Sequence, residues 1–159
     1  MNEVQEKNFK RLKLVNMITL VITAISTVLS LIGLPVALNP SIYKSKAFGE
    51  KGAALYEAFN QPFVKIFACL SVVLTVIFLI FLFLANKKIK AQELPKKNLY
   101  YIYLLVSAIQ LVYNLSFAPK NNSGNNSIIK TIITTLVLNL PAILAIVYIF
   151  KLENEEVGG

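Results

Sequence analysis

The stretch "NMITLVITAISTVLSLIG", residues 16–33, decides the fold class of this chain, because it is apolar enough to lie in hydrocarbon. It belongs to a longer run, Leu14–Tyr43, that contains no Asp, Glu, Lys or Arg. Three further charge-free runs cover Ile66–Asn86, Asn98–Pro119 and Thr131–Phe150. A helix rises ~1.5 Å per residue and needs about 20 residues to cross a ~30 Å hydrocarbon core. Each run is long enough, so the sequence predicts four transmembrane helices.

The composition predicts an all-α integral membrane protein. The chain has 159 residues, 56% of them hydrophobic and only 15% charged, and a soluble fold of this size cannot bury so much apolar surface. We expect one domain, residues 1–159, in which four transmembrane helices form an antiparallel bundle. The first run is too long for the ~7–15-residue core of a secretory signal, so it is expected to remain as a span. The predicted spans are about 14–38, 66–86, 98–118 and 130–150.

The basic residues predict the orientation in a cell membrane. The N-terminal arm, the loop of residues 87–97 and the C-terminal tail together hold ten Lys or Arg residues, and the opposite side holds six. An excess of positive charge marks the cytoplasmic side, so both termini and loop 87–97 are predicted to be cytoplasmic. Fifteen lysines against a single arginine, with many Ile and Asn, are typical of an AT-rich, bacterial coding sequence.

The outer loop, residues 40–64, contains "GAALYEAFNQPF" at positions 52–63. Leu55 and Phe59 are four residues apart there, which predicts a short helix lying in the membrane interface. A lid over an outward-facing cavity is the alternative. Aromatic residues also favour interfaces, so Tyr100, at the start of the third span, is expected at the inner interface. The single cysteine, Cys69, is expected to be buried.

The first span carries its polar and small residues on one face, at steps of three and four. A hydroxyl or amide in hydrocarbon costs free energy unless it finds a partner, so this face is expected to contact protein. Small residues also let helix backbones approach closely. The predicted helix-packing face consists of Asn16, Thr19, Thr23, Ser26, Ser30 and Gly33.

Polar residues of all four spans fall at similar depths. At a rise of ~1.5 Å per residue, most of them lie roughly 12 Å below the outer surface of the hydrocarbon core. This layer is either packing between helices or a small outward-open solute site. Pro141 favours a site, because it is predicted to kink the helix and to free the carbonyl of Val137. The candidate residues of the polar layer are Ser26, Thr75, Gln110, Asn114 and Asn139.

Several activities are not expected of these residues. The chain has no histidine, and its eight acidic residues all lie outside the predicted spans, so proton-coupled transport, a metal site and a catalytic pair are not expected. We therefore predict no catalytic residue, no metal and no cofactor, and the protein is not expected to be an enzyme. The loop lysines are expected to contact anionic lipid rather than nucleic acid.

Two functions remain open at this stage. The first is a non-catalytic accessory, regulatory or immunity-type subunit that contacts a membrane-protein partner through its helices. The alternative is a small homo-oligomeric transporter or channel for a neutral or weakly charged solute. A third possibility is a lipid- or peptide-sensing protein that uses residues 55–63. The expected partners are the lipid bilayer and either a membrane protein or further copies of the chain.

Overall fold

The structure is a computed structural model that describes residues 3–49, 51–117 and 125–157 of the chain. In these ranges it contains five α-helices, two short 3-10 helices and no strand, which confirms the all-helical fold class for them. The 3-10 helices, Pro40–Lys44 and Lys46–Phe48, lie between the first two α-helices. The α-helices are α1 (Glu3–Leu38), α2 (Lys51–Phe59), α3 (Pro62–Lys90), α4 (Asn98–Phe117) and α5 (Asn125–Val157).

Four helices, α1, α3, α4 and α5, are long and apolar enough to cross a membrane. This confirms the prediction of a multi-pass membrane protein. Large apolar side chains cover the outer surface of the bundle: Ile32, Leu105 and Val137 are 68%, 61% and 62% exposed. Soluble proteins rarely expose continuous apolar surface, whereas lipid accommodates it. Cys69 also lies on this surface and is exposed, so the expectation that it is buried was wrong.

Three of the long helices, α1, α3 and α5, are longer than the charge-free runs that predicted them. α1 begins at Glu3 rather than near residue 14, and α3 continues to Lys90 rather than ending near residue 86. Lysine and glutamate are good helix formers, and pairs four residues apart support a helix. Glu6 and Lys10 form such a pair, with 2.6 Å between Oε1 and Nζ. The predicted end of the third span, residue 118, lies outside the described residues.

The prolines act differently according to their position. α1 continues through Pro35 and ends at Leu38, just before Pro40. A residue that precedes proline is disfavoured in the helical conformation, and Asn39 accordingly has φ −131° and ψ 85°. α5 continues as one helix through Pro141.

One end of the bundle is tightly packed. The cluster there combines the first half of α1, the second half of α3, the first turn of α4 and the second half of α5. Ala142 and Ala145 are fully buried in it, and such small side chains let helix backbones approach closely. We call this cluster the packed core; it consists of Leu12, Val15, Leu82, Ile89, Tyr100, Ala142, Ala145, Ile146, Ile149 and Leu152.

Helix α4 packs along α5 and touches α3 only sparsely. Three aromatic pairs bridge α3 and α4 in the described ranges, and one of them, Phe63 with Tyr113, has ring centroids 6.0 Å apart. Phe78 meets Tyr103 edge-on with ring centroids 5.3 Å apart, and Phe67 stacks on Tyr113 at 3.7 Å. Because few other residues of the two helices meet, two separate spaces open along this seam.

Residues 40–61, position 50 aside, connect α1 to α3 and form an aromatic cluster. Tyr43 stacks on Phe59, with centroids 5.3 Å apart, and meets Phe48 edge-on at 5.1 Å. Gly52 is buried against the backbone carbonyl oxygen of Tyr43, which occupies the space that any larger residue would need. The helix predicted in this loop is present as α2, and its location at the membrane interface stays a prediction.

Candidate functional site: a polar cavity

A cavity of about 170 Å³ lies between the four long helices, and we call it the polar cavity. Helices α1, α3, α4 and α5 all contribute to its wall. The structure brings the whole predicted polar layer together around this one space. The five residues of that layer, Ser26, Thr75, Gln110, Asn114 and Asn139, all line it.

Two aromatic lining residues lie toward the packed core. Phe78 is buried and pairs edge-on with Tyr103, which packs against that core. Thr23, Ser107 and Thr135 add three hydroxyl groups to the wall. The spacing of polar residues by three and four in the sequence predicted the helix faces that carry these hydroxyls. The aromatic pair could not be predicted, because Phe78 lies in the uniformly apolar segment "VIFLIFLFLA".

Some polar groups of the cavity already have partners within the protein. Nδ2 of Asn139 donates to Oγ of Ser107 and to the carbonyl oxygen of Thr135, both at 2.7 Å. Asn139 therefore links α5 to α4. The hydroxyl of Thr75 donates to the carbonyl oxygen of Val72 at 2.9 Å, as serine and threonine commonly do within a helix.

Three other groups of the cavity have no such partner. Within the described part of the chain, no hydrogen bond engages the side chains of Ser26, Gln110 and Asn114. Each amide carries two N–H donors and a carbonyl acceptor. Leaving these groups unpaired in hydrocarbon costs free energy, so the arrangement favours water or a polar solute beside them.

The predicted packing face of α1 divides into two parts. Asn16, Thr19 and Thr23 are buried inside the chain. Oδ1 of Asn16 accepts a 2.6 Å hydrogen bond from the hydroxyl of Tyr100, and its Nδ2 lies 3.4 Å from the carbonyl oxygen of Leu82. These bonds join α1 to α4 and α3 within the packed core. Tyr100 is fully buried within the protein there, and its predicted depth at the inner interface stays a prediction.

Beyond Ser26 the same face opens outward. Ser30 is half-buried, and Gly33 is exposed, with no atom within 4 Å of the point where a side chain would begin. Neither residue lines the polar cavity. Thr27, which the sequence analysis did not include, is buried and donates to the carbonyl oxygen of Thr23 at 2.8 Å. In the sequence, Thr27 continues the four-residue spacing of Thr19 and Thr23, and that spacing places it on the same helix face.

The polar cavity is electrically neutral. No Asp, Glu, Lys or Arg lines it, and Tyr103 is its only titratable lining residue in the described ranges. The same ranges contain no group of three or more His, Cys, Asp or Glu residues that could hold a metal ion. The donors and acceptors present suit an uncharged, hydrogen-bonding solute.

Comparisons of the chain with protein families, with curated proteins and with solved structures find no match.

Proposed function

We propose that this chain is a small channel or transporter of a cell membrane that admits a small neutral solute to the polar cavity. One observation carries the proposal: the free amides of Gln110 and Asn114 face an uncharged cavity formed by all four long helices. The cavity lies within a single copy of the chain, so a solute can bind there whether or not the protein forms homo-oligomers. We do not expect catalysis, because the cavity contains no acid–base pair or activated nucleophile.

The proposed membrane arrangement is an antiparallel bundle with both termini in the cytoplasm and α2 in the outer interface. The contact of Asn16 with Leu82 supports it, because it joins the first half of α1 to the second half of α3. The ion pair between Lys97 and Glu153 supports it in the same way for α4 and α5. The packed core then lies toward the cytoplasm and the polar cavity opens outward.

Cysteine labelling in whole cells tests this orientation, in a Cys69→Ala background. A reagent that does not cross membranes is expected to label Ser45→Cys in intact cells. It is expected to label Lys7→Cys and Lys151→Cys only after the membrane is opened. Labelling of either terminal cysteine in intact cells contradicts the arrangement.

In this arrangement the Phe78–Tyr103 pair closes the path from the cavity to the cytoplasm. Passage of a solute therefore requires these rings, or α4 as a whole, to move. Helix α4 is suited to such a movement because it contacts α3 only sparsely. Among the described residues, no ionisable group other than Tyr103 lines the cavity, so the proposed transport is not coupled to protons.

Flux into liposomes tests the proposal, with urea and glycerol as the probe solutes. Proteoliposomes shrunk in either solute should swell again faster than protein-free liposomes. Replacing the two free amides, Gln110→Leu with Asn114→Leu, should abolish this difference without removing an internal hydrogen bond. The matched control replaces two exposed polar residues outside the cavity, Ser116→Leu with Thr134→Leu, and should keep it. Flux that survives the amide variant contradicts the proposed site.

An accessory subunit that contacts a membrane partner is the second candidate. It is supported by the outer part of the α1 face, where Gly33 is exposed with open space around it. An exposed glycine on a membrane helix allows the close approach of a second helix. The inner part of the face does not support it, since Asn16, Thr19 and Thr23 are buried within the chain.

Photocrosslinking in native membranes, with a benzophenone maleimide attached to single cysteines, tests this second candidate. In a Cys69→Ala background, Gly33→Cys should crosslink to one protein in a fixed ratio, whereas the neighbouring, lipid-exposed Ile32→Cys should not. Crosslinks to the same chain alone indicate the homo-oligomeric form of the transporter instead. Equal, diffuse crosslinking at both positions contradicts an accessory role for this face.

A further inference from the structure

A second space along the α3–α4 seam is apolar. It has a volume of about 420 Å³, lies between the second half of α3 and the beginning of α4, and we call it the apolar groove. Its walls are aliphatic and aromatic side chains, among them Ile77, Phe81 and Leu84 of α3 and Ile102 of α4. Phe78 lines both this groove and the polar cavity, so one buried ring separates the two spaces.

The charged groups of the apolar groove all lie at one end. Lys88, in the last turn of α3, and Lys96, just before α4, are its only charged lining residues in the described ranges. Neither forms an ion pair with a described carboxylate, whereas the adjacent Lys97 binds Glu153 with 3.0 Å between Nζ and Oε2. The segment of residues 87–97 contains five lysines and one glutamate. This end of the groove therefore presents two unpaired ammonium groups to an anion.

The start of α4 adds to the same positive end. α4 begins at Asn98, which also lines the groove. The first turn of a helix carries a partial positive charge, which favours a phosphate. The N–H groups of Leu99 and Tyr100 donate to the carbonyl oxygens of Lys96 and Lys97, so the start of α4 contributes this charge rather than those donors. Lysine side chains on a flexible stem suit a phosphate as point charges.

The length of the groove fits one leaflet of a bilayer. From Leu74 to Lys88 it follows α3 for about 21 Å, at ~1.5 Å per residue. One leaflet with its headgroup region is about 20–22 Å thick, half of a bilayer of about 40–45 Å. A molecule with an acyl chain and a phosphate head can therefore place its chain along α3 and its head between the two lysines.

We propose that the apolar groove is a specific site for one anionic phospholipid. Its acyl chain lies between α3 and α4, and its phosphate contacts Lys88 and Lys96. A transmembrane helix of another protein would pair the two ammonium groups only if it carried carboxylates at that depth. Every anionic phospholipid carries a phosphate there, so a lipid is the better occupant. The bound chain fills the seam that the aromatic pairs leave open and holds α4 against α3. This site does not depend on solute binding in the polar cavity.

Native mass spectrometry of the full chain in detergent tests the proposal, with phosphatidylglycerol and phosphatidylcholine of identical acyl chains as probes. One phosphatidylglycerol should remain bound under conditions that remove phosphatidylcholine. Lys88→Gln with Lys96→Gln should weaken its retention roughly 10- to 30-fold, since each lysine near an anionic lipid contributes to binding. The control replaces two exposed lysines between α1 and α3, Lys46→Gln with Lys51→Gln, and should leave retention unchanged.

A second variant separates the acyl-chain site from the charges. Ile102→Trp fills the groove and keeps both lysines, so it should also reduce retention of phosphatidylglycerol. Its control, Leu105→Trp, adds the same ring on an exposed face of α4 outside the groove and should have no effect. Equal retention of the two lipids, or retention that survives the lysine double variant, overturns the proposal. A bound protein in place of a lipid overturns it too.

Discussion

Amide side chains lie beside the packed core and in the wall of the polar cavity, and their hydrogen-bond partners differ between the two regions. In the packed core, the amide of Asn16 accepts from Tyr100 at 2.6 Å and has no exposed surface. In the polar cavity, the amides of Gln110 and Asn114 have no hydrogen bond to a described residue. One region uses its polar side chains to join helices, and the other leaves them available to a solute.

The difference arises from the bulk of the neighbouring side chains rather than from the polar residues. Around Asn16, the large residues Leu12, Leu82 and Tyr100 are fully buried and fill the space between the helices. Around Gln110, the cavity wall includes Ser26, Ser107 and Thr135, which are too small to do so. Polar periodicity thus predicts which face of a helix turns inward, and the volumes opposite that face decide whether it is packed or hollow.

The largest expected effect is the loss of the central ring of the packed core. Tyr100→Ala should lower the free energy of unfolding by about 3–5 kcal/mol, because it removes a fully buried ring and its bond to Asn16. Tyr101→Ala, at the next and exposed position, should change it by less than about 0.5 kcal/mol. Titration with sodium dodecyl sulfate in mixed micelles, followed by circular dichroism, measures both. Equal effects at the two positions contradict the description of the core.

The next largest effect is expected when a larger side chain is introduced into each of the two regions. Ala145→Leu inserts a larger side chain into the filled core and should cost about 1–3 kcal/mol. Ser26→Leu adds volume where the cavity has room, so it should cost less than Ala145→Leu in the same denaturation experiment. If Ser26→Leu is the more costly of the two, the cavity is not an open space in the membrane.

Removal of amide groups within the cavity should give a smaller effect. Asn139→Leu breaks the link to Ser107 and should cost about 0.6 kcal/mol, and at most about 1.7, as interhelical hydrogen bonds in membranes do. Gln110→Leu removes no internal hydrogen bond and should be neutral or stabilising. The same titration tests the pair, and a larger loss for Gln110→Leu would show that its amide has a partner within the protein.

The smallest expected effect concerns the partly exposed ion pair beside the packed core. Lys97→Gln should lower stability by about 0–1 kcal/mol, because both side chains of the pair with Glu153 remain in contact with water. Raising the salt concentration should reduce even this difference. Lys90→Gln, an exposed lysine outside the apolar groove with no described carboxylate partner, is the matched control. A salt-independent loss at Lys97 would mean that the pair is shielded from solvent.

Much of this organisation was predictable from the sequence. The charge-free runs gave the four apolar helices, because a charge is costly anywhere in a hydrocarbon core. The common depth of Ser26, Gln110 and Asn139 predicted that they lie near one another, since equal rise per residue places them at one level. The polar faces predicted which sides of the helices turn inward.

The rest depended on contacts between distant parts of the chain. Tyrosine is a residue type enriched at membrane interfaces, and only the contact of Tyr100 with Asn16 accounts for its burial. Phe78 and Tyr103 lie in largely apolar segments, and no periodic pattern there predicts that the two rings meet. The sparse contact between α3 and α4 likewise follows from how α4 lies on α5, and no local pattern encodes it.

The accessibility of single cysteines to a small, water-soluble thiol reagent tests the central claim most directly. A cysteine reacts as the thiolate and therefore needs water. In a Cys69→Ala background, Gln110→Cys should react rapidly. Asn16→Cys in the packed core and Leu105→Cys on the lipid-facing surface should both stay unreacted. If Gln110→Cys is as unreactive as these two controls, the polar cavity is closed to water and to solute.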